Sequence, residues 1–222
     1  MPAITALLPP PHRRGVVDLF LDGALAFTLH RSVAQEARLF IGRELSQDDI
    51  LALRDQEAFQ SGLDAAYRFL AYRPRSESEV RTRLRRRKFE AGLIDRVVAK
   101  LKEQRFLDDV AFAQQWTENR ATHSPRSRTM VRSELRLKGV ASEITQTAVE
   151  DLDDAEAAYE AGGRRSLRIK AADYQEFRKR LWDFLRRRGF SYDVTSRVVE
   201  RLWREREGNS PSETDSLDTS GG

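Results

Sequence analysis

The sequence contains no cysteine and no long apolar run. The lack of cysteine excludes disulfide frameworks, thiolate metal ligands and cysteine nucleophiles. Apolar runs span only a handful of residues, as at residues 23–27, whereas a membrane-spanning helix needs about 20. The N-terminus also lacks an apolar stretch of signal-peptide length. These absences predict a cytoplasmic protein without a membrane-spanning segment.

Signals of catalysis are equally scarce. Neither a phosphate-binding glycine loop nor a dinucleotide-binding glycine fingerprint occurs. His12, His30 and His123 lie far apart, and none has a second metal ligand at helical spacing, so we expect no metal site and no cofactor. Aspartate pairs at 108–109 and 153–154 resemble nuclease carboxylates, but each stands where a helix should begin, and acids are stabilising there. The sequence therefore predicts that the protein is not an enzyme.

Charge is abundant and unevenly distributed. The 222 residues include 39 Lys and Arg and 35 Asp and Glu, for a net charge of +4. Segments 73–105 and 164–188 are basic, whereas segments 44–64, 143–160 and 207–222 are acidic. Clustered arginines on helices can contact phosphate, but they can also form solvated faces that balance neighbouring acids. The charge pattern leaves both interpretations open.

The first 30 residues favour β structure. Residues 16–21 and 24–29 are apolar and rich in strand formers, and they flank Asp22-Gly23. An Asp-Gly pair between such runs is a strong hairpin signal, because both turn positions need a positive φ. Residues 4–8 can add a third strand. Since a lone hairpin is marginal in water, we expect it to pack against the segment that follows.

Capping signals predict where several helices begin. Ser46 and Asp49 resemble a capping box that opens a helix near Gln47. In such a box a serine and an acid three residues later each accept a hydrogen bond from the other's backbone N–H. Ser76 with Glu79 forms another. Two further serines are candidate caps: Ser32, and Ser124 before a proline.

From about residue 63 the apolar residues recur at helical spacing and form an internal repeat. Each unit describes an amphipathic helix, a tight turn and a second amphipathic helix. Gly139 and Gly189 stand where the turn needs a left-handed residue, but the first unit has Lys88 there. The equivalent apolar positions are Val80, Leu84, Phe89, Leu93, Val97 and Leu101; Val131, Leu135, Val140, Ile144, Ala148 and Leu152; and Leu181, Leu185, Phe190, Val194, Val198 and Leu202.

A third helix precedes each of these helix pairs. We therefore predict a mainly α-helical fold of three tandem three-helix repeats, at 63–106, 107–152 and 153–206, that stack into an elongated, curved body. A small N-terminal β-hairpin region with a helical segment occupies residues 1–62. A disordered acidic tail occupies residues 207–222, because almost nothing there is apolar.

Particular motifs accompany the repeats. An aromatic-rich helix at 66–72 precedes Arg-x-Arg-Ser-x-x-Glu at 73–79, and Leu-Asp-Asp-x-x-Phe-Ala follows at 107–113. The second repeat contains Leu-x-x-Lys-Gly-Val at 135–140. Together with the hairpin, this pattern covers about residues 1–206 and resembles the RecX family of recombination regulators.

The resemblance implies a partner and an activity. The partner is the RecA recombinase filament on single-stranded DNA, which the protein would bind along the helical groove of the filament. The activity is non-catalytic modulation, usually inhibition, of ATP hydrolysis and strand exchange by RecA, in DNA repair, recombination and control of the SOS response. We expect a monomer. The alternative is a stand-alone helical-repeat nucleic-acid-binding protein, which would bind bare DNA tightly with little gain from RecA.

Basic residues near the ends of the repeat helices are the candidate contacts with nucleic acid or filament. Cations at a helix C-terminus also stabilise the helix dipole, but one or two suffice, whereas residues 85–88 supply four. Trp116 and Trp203 lie near apolar stripes, which predicts core positions. The candidate contacts are Arg73, Arg75, Arg85, Arg86, Arg87 and Lys88; Arg132, Arg136 and Lys138; and Arg186, Arg187 and Arg188.

Overall fold

The structure is a computed structural model that describes residues 1–208, and helices make up 62% of them. The chain forms two compact units, residues 1–108 and residues 109 onward. The first unit opens with a three-stranded antiparallel sheet in the order β1-β2-β3. Its strands are β1 (Ile4–Leu8), β2 (Val16–Leu21) and β3 (Ala24–His30). The predicted hairpin and third strand are thus confirmed.

The hairpin turns at Asp22 and Gly23, whose φ angles are 48° and 84°. One face of the sheet is buried, with Leu19 and Leu29 fully inaccessible to solvent. This face packs on the helices α1 (Arg31–Glu36) and α2 (Gln47–Leu70). The hairpin therefore gains the support that an isolated pair of strands would lack.

Helix α1 does not begin as predicted. Its N-cap is His30, with no side-chain cap, so the prediction of Ser32 as the cap is wrong. Strand β3 continues to His30, whose backbone N–H donates to Glu57 Oε2 at 2.6 Å. The His30 ring lies 2.9 Å from Glu57 and 3.2 Å from Asp64. Carboxylates from α2 thus fix the residue at which the strand becomes a helix.

Helix α2 begins with the predicted capping box of Ser46 and Asp49. It then runs for 24 residues and passes through position 62, where a boundary before the first repeat is expected. Leu53 belongs to the core beneath the sheet, whereas Leu63 and Ala66 belong to the core of the first repeat. One helix therefore joins the N-terminal sheet to the first repeat.

Three groups of three helices follow the predicted pattern. The first repeat consists of the C-terminal part of α2, then α3 (Glu77–Arg86) and α4 (Ala91–Glu103). The second consists of α5 (Asp109–His123), α6 (Arg128–Leu137) and α7 (Ser142–Ala148). The third consists of α8 (Asp154–Ser166), α9 (Tyr174–Arg187) and α10 (Tyr192–Gly208). The rest of the predicted tail lies outside the described residues.

Each repeat encloses its own apolar core. Seventeen of the eighteen repeated apolar positions lie in, or pack against, the core of their own repeat, and the remaining one, Leu93, is also buried. Trp116 and Trp203 also pack against these cores, as predicted. Lys88, Gly139 and Gly189 adopt φ angles of 65°, 77° and 88°, so the left-handed turn is kept even where glycine is absent.

The first helix of the third repeat, α8, carries few large apolar residues because it lies close to α10. A Cβ built on Gly162 would lie 2.8 Å from Leu202 Cδ1 and 3.3 Å from Val198 Cγ1. Ala158 and Ala161 beside it are buried. Small residues on α8 let large side chains of α10 fill the space, so the core does not need large residues from both helices.

The cap of α6 differs from the prediction. The N-cap is Ser127, which accepts from Met130 N, so Ser124 is not the cap. The backbone N–H of Ser127 donates to Arg188 O at 3.1 Å, and the Ser124 hydroxyl instead accepts from Arg188 Nη1. A contact with the third repeat therefore determines where α6 begins.

Candidate nucleic-acid interface

The second helix of every repeat ends in an arginine at the same repeat position. Arg85, Arg136 and Arg186 lie in the last turns of α3, α6 and α9, and all three are exposed. Arg186 also donates to Phe190 O at 2.6 Å, which fixes its side chain over the following turn. The recurrence places an exposed cation at the same point of each repeat.

The largest basic cluster lies at the end of α3. Arg85, Arg86, Arg87 and Lys88 are all exposed, and no salt bridge within the described residues involves any of them. Cations without acidic neighbours keep their full charge available to a partner. We call Arg85–Lys88 the α3 basic end.

Arg83 belongs to this surface as well, although it is not among the contacts predicted from the sequence. It is exposed and precedes Arg86 by three residues, so the two share one face of α3. Its guanidinium lies 5.6 Å from the ring centre of Phe69. The helical spacing from Arg86 was the signal that could have found it.

Arg73 and Arg75 are held inside the first repeat instead. Arg73 Nη2 donates to Glu79 Oε1 at 2.7 Å, and the Arg75 guanidinium stacks 4.1 Å from the ring centre of Phe69. Burial lowers the pKa of Arg75, and the charge of Arg73 lowers it further, while Glu79 opposes the shift. Glu79 also forms the predicted capping box with Ser76. These two arginines therefore support the connection between α2 and α3.

In the second repeat only Arg136 is exposed among the three candidates. Arg132 donates to Gln146 Oε1 at 2.8 Å, just as Arg81, 51 positions earlier, donates to Asp95 in the first repeat. This contact braces the second helix against the third. Lys138 Nζ lies 5.2 Å from the ring centre of Trp116.

In the third repeat the adjacent residues Arg187 and Arg188 differ in exposure and in their contacts. Arg187 is exposed, whereas Arg188 Nη1 donates to Pro125 O at 2.8 Å in the second repeat and its guanidinium lies 4.5 Å from the Phe184 ring. Burial lowers the pKa of Arg188, and neighbouring arginines, of which Arg126 contributes most, lower it further. Arg188 therefore joins the second and third repeats.

Glu134 of α6 is an acidic hub of the second repeat that the sequence did not reveal. Glu134 accepts hydrogen bonds from Trp116 Nε1 at 2.8 Å and from Arg120 Nε at 2.7 Å, and it pairs with Arg126 at 2.5 Å. Its side chain is only 14% exposed. Its position among the arginines of the second repeat depends on tertiary contacts, so spacing alone gave no signal.

The remaining expectations concern the acid pairs, metals and membranes. Asp153 is the N-cap of α8, accepting from two backbone N–H groups, and α5 begins at Asp109. Among residues 1–208, no group of three or more His, Asp or Glu side chains could hold a metal ion. Nor does any helix in that range combine the length and apolar character needed to cross a membrane. The fold and the exposed residues define a helical-repeat protein in which each repeat carries an exposed arginine at the same position.

Sequence and structure comparisons identify the repeats. The profiles of the first, second and third three-helix domains of RecX match residues 63–101, 108–149 and 152–199. The regulatory protein RecX of Lactobacillus gasseri is 31% identical over 91% of this chain and 75% of its own. That of Lactobacillus johnsonii is 32% identical over the same shares.

Solved structures agree on the fold. A crystal structure of a regulatory protein RecX superposes with a TM-score of 0.66 at 22% identity, covering 90% of this chain and all of that one. RecX from Lactobacillus salivarius gives a TM-score of 0.58 at 21% identity over 67% of this chain and 99% of its own. The chain belongs to the RecX family of regulatory proteins.

Proposed function

We propose that this protein is a non-catalytic, cytoplasmic regulator that binds the RecA filament on single-stranded DNA. In this proposal it lowers the rates of ATP hydrolysis and strand exchange by RecA, and so acts in DNA repair, recombination and the SOS response. The observation that carries the proposal is family membership, since the relatives are named regulatory protein RecX. The exposed arginine at the end of each second helix supports it, because a filament on DNA presents phosphates.

The proposed phosphate contacts are the candidates that remain exposed. Phosphate attracts Arg and Lys whose charge is not already neutralised, and each contact formed releases counterions from the nucleic acid. We assign direct contact to Arg85, Arg86, Arg87, Lys88, Arg136, Arg186 and Arg187. In the same proposal the other candidates hold the repeats in shape, since each is partly buried and contacts other residues of the protein: Arg73, Arg75, Arg132, Lys138 and Arg188.

The decisive experiment is the DNA-dependent ATPase rate of RecA with and without this protein. We expect the rate to fall in proportion to the protein added, until the filament is saturated. An unchanged rate, with binding to the filament verified in the same samples, would exclude inhibition. A raised rate would reverse the sign of regulation.

The alternative function, a stand-alone nucleic-acid-binding protein, is favoured by the same exposed arginines. The two functions differ in their dependence on RecA. We expect binding to RecA-free single-stranded DNA to be weaker than binding to the filament at every salt concentration. Equal affinity for both would favour the stand-alone function.

A further inference from the structure

The second repeat contains an open groove between its first and third helices, α5 and α7. The groove has a volume of about 560 Å³. Its apolar floor includes Ile144 and Ala148, and Val110, which is 50% exposed, lies beside them. Three acids also line it: Glu118, Glu143 and Asp151. We call this the α5–α7 groove.

The corresponding face is covered in the first repeat. There Phe59 of α2 packs against the repeat core, at the position that the smaller Val110 of α5 holds in the second repeat. Asp55, one turn earlier, pairs with Arg96 of α4 at 2.8 Å. This ion pair has no equivalent in the second repeat. Thr147 holds the position of Arg96, and the position of Asp55 falls before the start of α5 at Asp109. The first repeat thus shows what this face accepts: an apolar side chain together with a charge opposite to that of the third helix.

The charge of the groove is specific to the second repeat. Asp151 occupies the position held by Lys100 in the first repeat and by Arg201 in the third. In the third repeat the matching groove is lined by Arg197 and Arg201, with the Arg201 guanidinium 3.9 Å from the Tyr159 ring. The charged residues of the groove are therefore all acids in the second repeat, whereas in the third repeat two arginines line it together with one acid, Glu156.

The three acids of the groove have no internal counter-charges. Glu118, Glu143 and Asp151 are exposed, and no salt bridge within the described residues involves them. Phosphate would be repelled, so the groove does not suit DNA. The chain's own tail, with Glu213, Asp215 and no base, is repelled for the same reason. Charge complementarity selects a basic occupant, and the apolar floor selects one with an apolar side chain.

We propose that the α5–α7 groove docks a basic, amphipathic segment of the protein subunits in the filament. An apolar side chain of that segment lies on the floor at Ile144 and Ala148, and flanking Lys or Arg residues pair with the acids. The inference rests on the proposed function and deepens it. The exposed arginines face nucleic acid, whereas the groove faces protein.

The test compares binding to two targets. The first is RecA filament assembled on single-stranded DNA with a non-hydrolysable ATP analogue, and the second is the same DNA without RecA. The variant is E118K with D151K, which leaves the first turn of α7 untouched. We expect filament affinity to fall at least tenfold, while affinity for RecA-free DNA stays the same or rises.

A matched control carries the same change in net charge. Asp183 and Glu200 are exposed and lie outside the groove, so D183K with E200K should bind both targets as the parent does, or slightly more tightly. If the groove variant binds the filament as well as the control does, the groove is not the docking surface. If the parent itself does not bind the filament, the proposed function fails and the inference fails with it.

The absence of cysteine allows a direct test of what occupies the groove. Thr147 lines the groove and is exposed, so T147C introduces the protein's single thiol there. With a photo-crosslinker on that thiol, we expect adducts with a Lys- or Arg-rich segment of RecA, located by peptide mass spectrometry. The same label on D183C should give few such adducts. Adducts with DNA alone, or equal yields from both sites, would overturn the proposal.

Discussion

At the residue scale, neighbouring arginines in one run can have different roles. Arg187 points to solvent, whereas Arg188 forms hydrogen bonds with Ser124 and Pro125, more than 60 positions earlier. In the sequence both belong to one basic helix end, and nothing local distinguishes them, because the partners of Arg188 come from another repeat. Charge clusters are visible in a sequence, while the neutralising or buried contacts of each member depend on the tertiary fold.

Glu134 offers a test of how the second repeat holds its arginines. E134A leaves Arg120, Arg126 and the Trp116 N–H without their shared acceptor. Because the carboxylate is largely buried, we expect the free energy of unfolding to fall by about 2 kcal/mol. E150A is the matched control, since Glu150 is exposed, and it should change stability by less than about 0.5 kcal/mol. Chemical denaturation measures both, and equal effects would mean that the hub adds nothing.

Asp49 links stability to pH. Hydrogen bonds from the side chain and then the backbone of Ser46 lower the pKa of Asp49 below its usual 3.8. A carboxyl whose pKa is lower in the folded state stabilises the fold above its unfolded pKa, and this stabilisation is lost as pH falls through the folded pKa. We expect D49N to be less stable than the parent at pH 7.

The difference between D49N and the parent should shrink below about pH 4, since both then lack the ionised cap. Thermal melts between pH 7 and pH 3 measure it. A constant difference across that range would contradict the assignment of the pH dependence to Asp49.

At the element scale, local patterns located some helix starts and missed others. The capping boxes of Ser46 with Asp49 and of Ser76 with Glu79 were predicted because both partners are close in sequence. Ser124 looked equally suitable, but the cap is Ser127, whose N–H donates to Arg188 of the next repeat. Where two serines could each cap a helix, a contact with a residue distant in sequence determines which one does, and the local sequence does not show that contact.

Lys88 tests the turn that ends α3. Its φ of 65° is a left-handed conformation, which costs a non-glycine residue roughly 1 kcal/mol. We therefore expect K88G to raise the free energy of unfolding by up to about 1 kcal/mol, because glycine adopts this conformation without the Cβ clash. Thermal and chemical denaturation measure the change. Lower stability would show that the Lys88 side chain stabilises the turn by more than its backbone strain costs.

Gly189 occupies the same repeat position and gives the opposite case. Its φ is 88°, and a Cβ there would lie 2.6 Å from Ser127 Oγ and 3.0 Å from Met130 Cβ. G189A therefore combines backbone strain with a clash against the start of α6, and we expect a loss above about 2 kcal/mol. Equal tolerance of alanine at positions 139 and 189 would argue against that close contact.

At the scale of the whole molecule, the fold was largely predictable and the site only in part. Eighteen apolar positions at helical spacing predicted the three repeats, because burial of each amphipathic helix pair leaves a periodic record in the sequence. The continuity of α2 and the acidic α5–α7 groove left no such record. Both features depend on which helix faces pack against each other, and the same apolar periodicity is compatible with several ways of packing the helices.

The α3 basic end provides the main test of how the protein grips its target. Arg85 and Arg86 are exposed and lack salt bridges within the described residues, so R85E with R86E should leave the fold intact. We expect binding to the RecA–DNA filament to weaken at least tenfold and inhibition of the ATPase to weaken in parallel. Each lost phosphate contact should also lower the salt dependence of binding, by about 0.7 in the log–log slope for single strands.

Net charge alone could produce a similar loss, because the variant changes the protein by four charges. R13E with R14E makes the same change at an exposed arginine pair away from the repeats. Diffuse electrostatic attraction depends on total charge, whereas a phosphate contact depends on position. If the α3 basic end contacts the target, its variant should lose far more affinity than the control and a larger part of the salt slope. Equal losses would mean that the end of α3 is a solvated surface, and would shift the contact to Arg136, Arg186 and Arg187.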